Sequence, residues 1–333
     1  MKKILNQTTE LIPQVIEGFL ASYGTDYKKT EANGIIVSDL KDKVSVLTGG
    51  GSGHEPLFLG FVGDGLADGV AIGNVFAAPT PDTVLDVTQA LDKGQGVLYV
   101  YGNYSGDILN FDMAAELADL AGIETRTVLV RDDVASAPSE KKEERRGIAG
   151  DVFVIKIAGA ASREGLSLDE TARVAQKASD STFSIGVALS PGTIPGLDKP
   201  TFTIPDDEIE FGMGIHGEPG VERTKLMEAD ALVDKMLEIL LRESDIQAGD
   251  EVCLLLNGLG STTLLELFVM NRRVQEVLKD KGIVIHDADV NNYCTTQEMG
   301  GASISMMKLD EELKNYFDQP AYSPYYAKRG KHN

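Results

Sequence analysis

Short apolar runs bounded by glycine, separated by stretches of helical periodicity, restrict the fold of this chain more than any other feature. The runs are Val44 to Leu47, Gly69 to Val75, Gly96 to Tyr101, Thr125 to Val130, Val152 to Ile157 and Ser184 to Leu189. Between several of them lie Thr83 to Leu91, Phe111 to Ala121 and Leu168 to Ser179, whose apolar residues recur at helical spacing. Ser167 precedes the last, with Glu170 three residues on, the pattern of a capping box. Buried strands alternating with amphipathic helices predict α/β layers with a largely parallel sheet. Asp132 to Arg146 breaks the pattern with charge and no apolar period, which predicts a surface loop or a short exposed helix.

The stretch Ser190 to Pro205 is dense in proline and glycine and reads as a linker or an irregular crossing. Beyond it the pattern resumes with a helix at Lys225 to Arg242, a strand at Glu251 to Leu256, a helix at Thr263 to Lys281, and strands at Ile283 to Ile285 and Ala302 to Lys308. The tail from Gln319 is expected on the surface. A chain of 333 residues is long enough for two cores. The expected architecture is therefore two α/β domains with mixed or parallel sheets and helices on their faces. An N-terminal domain spans 1–190 and a C-terminal domain 191–333, with a ligand site near their junction, since pockets favour domain interfaces and strand C-terminal ends.

Charge and composition exclude several classes. No run of eighteen apolar residues exists, and Met1 to Asn6 lacks a signal-peptide core, so a membrane span and export are not expected. Fifty-two acidic against 31 basic residues give a net charge of −21, which repels phosphate backbones and argues against direct nucleic-acid binding. A basic protein partner stays open. Cys253 and Cys294 are too few for a disulfide framework or a zinc site, and a reducing cytoplasm fits best.

Three segments carry chemistry. Thr48 to Pro56 (TGGGSGHEP) places His54 directly after a strand, and the glycines at 50, 51 and 53, with Ser52, expose backbone N–H groups that can cradle an oxyanion. Gly212 to Gly220 (GMGIHGEPG) sets His216 in a second glycine-rich segment. A tight turn with a surface histidine is the other reading of each. Gly102 to Phe111 (GNYSGDILNF) places Asp107 in a strand-to-helix loop, on the same edge as His54 if both strands are parallel, with Asn110 the better-placed helix cap. His286 reads as a strand-end residue. No Walker A or Rossmann fingerprint is present, and no His, Cys and carboxylate set has metal-ligand spacing.

Taken together these segments resemble the substrate-binding subunit of dihydroxyacetone kinase. The resemblance also covers Pro79-Thr80-Pro81, Arg146 to Gly150 (RGIAG), Lys156 to Ala161 (KIAGAA), Asn257 to Gly260 (NGLG) and Lys308-Leu309-Asp310, in the family's order. It implies that His216 attacks the ketone carbon of dihydroxyacetone and holds it as a hemiaminal. It further implies that Asp107 accepts the hydroxyl proton as that oxygen attacks phosphorus, and that His54 binds and polarises the substrate beside Gly50, Gly51, Ser52 and Gly53. The chain has no room for the helical nucleotide domain of the ATP-using members. The resemblance is thus to the stand-alone subunit of the phosphoenolpyruvate-dependent phosphotransferase type in glycerol metabolism. ATP or ADP with magnesium belongs there to a helical partner subunit, this chain binds no cofactor or metal, and a homodimer is the default.

Gly102 stands where the family usually has lysine, Ala78 where serine is common, Leu57-Phe58-Leu59-Gly60 where Ala-His-Ala-Gly is usual, and Asn291 where it has glycine. These departures keep two alternatives: a non-catalytic paralogue that senses dihydroxyacetone as coactivator of a transcription factor, and a kinase subunit for another short ketose.

Overall fold

The computed structural model describes residues 2–197 and 199–330. They form two compact units, one of residues up to 130, 152–178 and from 313 on, the other of 131–151 and 179–312.

In the first unit, β1 (Tyr27–Lys29), β2 (Gly34–Val37), β3 (Ser45–Ser52), β4 (Gly69–Val75), β5 (Val97–Gly102) and β6 (Thr125–Val130) form one sheet in the order β1-β2-β4-β3-β5-β6. The strands β4, β3, β5 and β6 are parallel, as the alternating pattern predicted. The antiparallel β1–β2 pair joins at the β4 edge. Helices α1 (Leu11–Tyr23), α2 (Pro81–Leu91) and α3 (Ser105–Leu120) belong to this unit. Thr80 caps α2 by accepting from the Thr83 N–H, and Pro81 sits at the first helical position, where its missing N–H costs nothing. Leu47, Val84, Val87, Tyr99 and Phe111 form a core from which water is excluded. Phe111 stacks on Tyr101 at 4.1 Å and meets Tyr99 edge-on at 5.4 Å.

The run Val152 to Ile157, expected as a strand, lies in helix α4 (Asp151–Arg163). Val154, Ile155, Ile157, Ala158, Ala160 and even Lys156 have no exposure, so the middle of the helix is buried on all sides and its apolar run is as continuous as a buried strand's. Lys156 is tolerated because its ammonium donates to the Tyr316 carbonyl at 2.9 Å. Helix α5 (Leu168–Asp180) starts as predicted, with Ser167 Oγ accepting from the Glu170 N–H at 3.3 Å.

In the second unit, β7 (Thr182–Ser190), β8 (Glu208–Phe211), β9 (Glu222–Lys225), β10 (Glu251–Gly258), β11 (Val284–Asn291) and β12 (Gly300–Leu309) form a sheet in the order β11-β10-β12-β7-β8-β9. Only the β10–β11 pair is parallel, so this sheet is mainly antiparallel. Helices α6 (Ala229–Arg242) and α7 (Leu264–Asp280) lay Val233, Met236, Leu240, Leu267 and Val274 against Val252, Leu254 and Ile304. A capping box of Thr263 and Glu266 starts α7.

Three boundaries differ from expectation. β7 pairs with β12 and β8, so residues 182–190 belong to the second unit, and the chain passes between the units at four places rather than once near 190. Ser190 to Pro205 is internal to the second unit, and Asp198 within it lies outside the described residues. The tail does not lie loose on the surface. After α8 (Glu311–Phe317), β13 (Ala321–Tyr322) and β14 (Ala327–Lys328) pair, and Ser323 and Tyr326 are buried within the first unit, Tyr326 against Phe61 at 5.6 Å. Residues 331–333 of the expected tail lie outside the described residues.

Phe111→Ala should lower unfolding free energy by about 3–5 kcal/mol, because it empties a stacked site that cannot collapse. Leu109→Ala, 61% exposed on the same helix, should change it by less than about 0.5 kcal/mol. Urea titrations of the two variants check the contrast.

Candidate functional site

Because β3 lies between β4 and β5 and all three are parallel, the segments that follow them leave one edge of the sheet. His54 follows β3 and Asp107 follows β5, so the first unit brings both to that edge, as the parallel reading required. The segment after β4 braces the other two. The Phe76 N–H donates to the Ser52 carbonyl at 2.9 Å, and the Phe76 ring stacks on His54 at 4.9 Å. Asn110 Nδ2 donates to the Pro79 carbonyl at 2.8 Å. No side chain fits between the first two segments: a Cβ on Gly73 would lie 2.0 Å from the Ala77 carbonyl oxygen, and one on Gly51 2.7 Å from the Ala77 nitrogen.

Packing also accounts for much of the glycine-rich segment. Gly50 faces the Phe58 ring, where a Cβ would come within 2.1 Å. Ser52 Oγ donates to the Gly73 carbonyl at 2.9 Å, and the Gly53 N–H donates to Glu55 Oε2 at 2.9 Å. His54 is 1% exposed. Asp107 is not in a loop: α3 begins at Ser105 after Tyr104, and Asp107 occupies the first turn, where the helix dipole favours a carboxylate. Asn110 is inside the helix and ties it to Pro79 instead of capping it. The first turn of α3 has little buried apolar surface, so its periodicity becomes legible only at Phe111.

His216 belongs to the second unit, in the loop 212–221 that joins β8 to β9. The loop closes on itself: Gly214 N donates to the Glu218 carbonyl at 3.0 Å and Gly217 N to the Gly214 carbonyl at 3.0 Å, with Gly217 at φ 86°, a conformation open to glycine. Glu218 grips His216 twice. Its Oε2 accepts from the His216 N–H at 2.9 Å and its Oε1 lies 3.1 Å from Nδ1. Burial pushes the Glu218 carboxyl up, but the hydrogen bond and charge of His216 outweigh it and hold the group down at about 2.

The polar segment after β6, expected on the surface, is buried at both ends. Asp132 has no exposure and accepts from the Ile148 and Gly150 N–H groups at 2.8 Å each. Asp133 Oδ2 accepts from Arg146 Nη2 at 2.8 Å and Nε at 3.1 Å, and burial pushes that carboxyl up to about 6 against the pull of Arg146. Arg146 Nη2 also donates to the Gly212 carbonyl at 3.0 Å, and Nη1 stands 3.9 Å from Glu218 Oε2. The partners Glu218, Arg146 and Asp133 were not singled out from the sequence. Glu218 sits two residues after His216 and Arg146 opens the RGIAG segment, but nothing marked Asp133.

His286 lies within β11 with Nδ1 2.9 Å from Glu251 Oε1. Cys253 and Cys294 are buried and form no disulfide. Among the described residues no three His, Cys, Asp or Glu side chains converge as metal ligands do, and no helix is long and apolar enough to cross a membrane. A cavity of about 660 Å³ in the first unit lies along the opposite sheet edge, between the Lys43–Asp68 ion pair and Arg163. Lys43 is closed onto Asp68 and Ser162.

A family model described as the Dak1 domain matches residues 17–325. The PTS-dependent dihydroxyacetone kinase 2, dihydroxyacetone-binding subunit DhaK, of Listeria innocua is 44% identical over 330 residues, covering 98% of this chain and 99% of that protein. The crystal structure of the dihydroxyacetone kinase from C. freundii with AMP-PNP and Mg²⁺ superposes with a TM-score of 0.91 at 30% identity, covering 100% of this chain and 62% of that one. The chain thus spans under two thirds of that kinase. The dihydroxyacetone kinase operon co-activator Dha-DhaQ superposes with a TM-score of 0.87 at 30% identity, covering 92% and 96%.

Gly73→Ala should push residues 76–80 away from β4, cost about 1–3 kcal/mol of stability, and displace Phe76 from His54. Gly106→Ala, where the nearest atom to a Cβ is 3.7 Å away, should leave both unchanged or gain about 0.4–1 kcal/mol. Urea melts with the His54 ring resonances read the two effects.

Proposed function

This chain belongs to the Dak1 domain family, and we propose that it is the dihydroxyacetone-binding subunit of a phosphotransferase-dependent dihydroxyacetone kinase. The observation that carries the reading is the pair of segments GGGSGHEP and GMGIHGEPG standing in a chain 44% identical to such a subunit across its length. In the proposed mechanism the neutral His216 imidazole adds to the ketone carbon. A C–N bond forms, the carbonyl π pair moves to oxygen, and that oxygen takes a proton as the imidazole loses one, which gives a neutral hemiaminal. Imidazole is a competent nucleophile near neutral pH. The covalent step selects ketones over glycerol, which has no carbonyl, where shape alone discriminates weakly.

His54, held by the Phe76 stack, binds and polarises the substrate. Asp107 accepts the proton of the hydroxyl that attacks phosphorus, help of the kind worth about 10²–10⁴-fold in rate. Gly50, Gly51, Ser52 and Gly53 shape the substrate edge. The nucleotide and magnesium are carried by a helical partner subunit, recharged by a phosphocarrier, and the chain works as a cytoplasmic homodimer without a cofactor of its own.

A second reading, a dihydroxyacetone-sensing coactivator, is favoured by Gly102, which supplies no ammonium beside the substrate edge, and by the likeness to the co-activator structure. Loss of a charged hydrogen-bond donor weakens binding by roughly 1.5–3 kcal/mol. Retention of both His54 and Asp107 favours the kinase, since a pure sensor has less use for a general base.

Purified chain, its helical subunit with Mg-nucleotide and the phosphocarrier should convert dihydroxyacetone to its phosphate. His216→Ala should abolish ketone binding with the fold intact. Asp107→Asn should keep binding and lose about 10²–10⁴-fold in turnover. Binding without turnover in the unaltered chain would establish the coactivator instead.

A further inference from the structure

The contacts of His216 extend beyond the ring into a connected set of charges. Glu218 is acceptor-only when ionised, so the proton of a neutral His216 that meets Oε1 at 3.1 Å must sit on Nδ1. That leaves the Nε2 lone pair as the nucleophile. The second carboxylate oxygen accepts from the His216 main chain, so the carboxylate is fixed to backbone and ring together. Arg146 donates to two acceptors, Asp133 through Nε and Nη2 and the Gly212 carbonyl through Nη2, and its Nη1 forms a looser ion pair with Glu218 at 3.9 Å. Asp133, 1% exposed, is the buried end of the chain of contacts.

Gly214 is where the loop makes room for this arrangement. A Cβ there would lie 2.1 Å from Glu218 Oε2 and 2.4 Å from Arg146 Nη1. Its φ is not in the left-handed region, so an alanine there would leave the backbone unstrained and push the ends of the two charged side chains apart.

We propose that Glu218 is a positioning residue that holds His216 in the Nδ1–H tautomer and so directs Nε2 at the ketone carbon, with Arg146, itself anchored by Asp133, holding Glu218 and the Gly212 carbonyl in register. The inference rests on the reading of His216 as nucleophile. When the N–C bond forms, the imidazole passes through a cationic stage before Nδ1 releases its proton, and the Glu218 carboxylate faces that charge. The proton lost from Nδ1 balances the one gained by the former carbonyl oxygen. An arginine suits the anchor because its planar fork reaches several acceptors at once, which a lysine ammonium on a flexible stem does not.

The test uses the full chain with ¹⁵N-labelled histidine and dihydroxyacetone carrying ¹³C at the carbonyl. Long-range ¹H–¹⁵N spectra, assigned by difference with His216→Ala, should show the unaltered His216 protonated on Nδ1. Glu218→Ala should release that tautomer preference and weaken adduct formation by about 10–100-fold, the range for losing a charged hydrogen bond. Glu218→Gln should also loosen the tautomer and form less adduct, because its single amide oxygen cannot accept from the His216 main-chain N–H and from Nδ1–H together. Gly214→Ala, a wedge between the two charges, should reproduce Glu218→Ala, and Arg146→Lys should fail to restore what Arg146→Met loses. Nε2–H protonation in the unaltered chain, or a Glu218→Ala variant with unchanged tautomer and affinity, overturns the proposal. An unaltered chain whose ¹³C signal stays at the ketone position overturns the nucleophile reading, while the tautomer spectra still decide the role of Glu218.

Discussion

Backbone approach that leaves no volume for a side chain is the constraint on which the candidate edge of the first unit depends. Gly49 and Gly51 on β3 and Gly73 on β4 face one another's strand or the segment after it so closely that a Cβ on any of them would fall within 2.7 Å of a backbone atom. Protein interiors are packed to crystal density, so such contacts transmit position with little slack. The segment after β4 is thereby fixed against β3, and its Phe76 ring against His54. The same segment receives Asn110 from α3 and so fixes the helix whose first turn carries Asp107. Two candidate residues more than fifty positions apart are thus set by one short stretch of main chain that itself carries no reactive group.

The second unit solves a similar problem with charge. The 212–221 loop buries Met213 and Ile215, and beyond them it relies on its own turns and on the Arg146 guanidinium. Removing three charged groups from water is costly, and a buried pair is weak evidence for stability. Such a cluster does, however, impose one geometry, since leaving any member unpaired costs more than the cluster gains. The arrangement makes sense if orientation of His216 is what the loop must deliver.

Much of this was legible in the sequence where period and burial agree. The runs at 69–75, 96–101 and 125–130 appear as strands at nearly those positions, the first two largely buried and the third half-exposed. The parallel relation of β3 and β5, on which the shared edge of His54 and Asp107 depends, followed from the helices between them. Legibility failed where burial is complete or where pairing is remote. The middle of helix α4 is buried on every face, so its run was indistinguishable from a strand. β7 looked like a continuation of the first layer because nothing local reveals that its partners are β8 and β12, strands that come later in the chain. Asp132 and Asp133 looked like solvated charges because their partners, two backbone N–H groups and Arg146, lie 13 to 18 residues away.

That last failure has a physical content that bears on reading such sites. A carboxylate on the surface and one buried against a guanidinium have the same sequence signature, and only the second fixes geometry. Burial of Asp133 would on its own favour the neutral acid, and the direct contacts from Arg146 are what keep the charged form competitive. Arg146 Nη1 in turn approaches Glu218 across Gly214, where a Cβ would press on the ends of both side chains. The glycine at 214 therefore does for the second unit what Gly51 and Gly73 do for the first: it clears the space in which functional groups meet. The glycine-rich segment before His54, first read as an oxyanion cradle, is explained at least as well by the protein's need to bring its own groups within reach of one another, and the segment around His216 serves the same need.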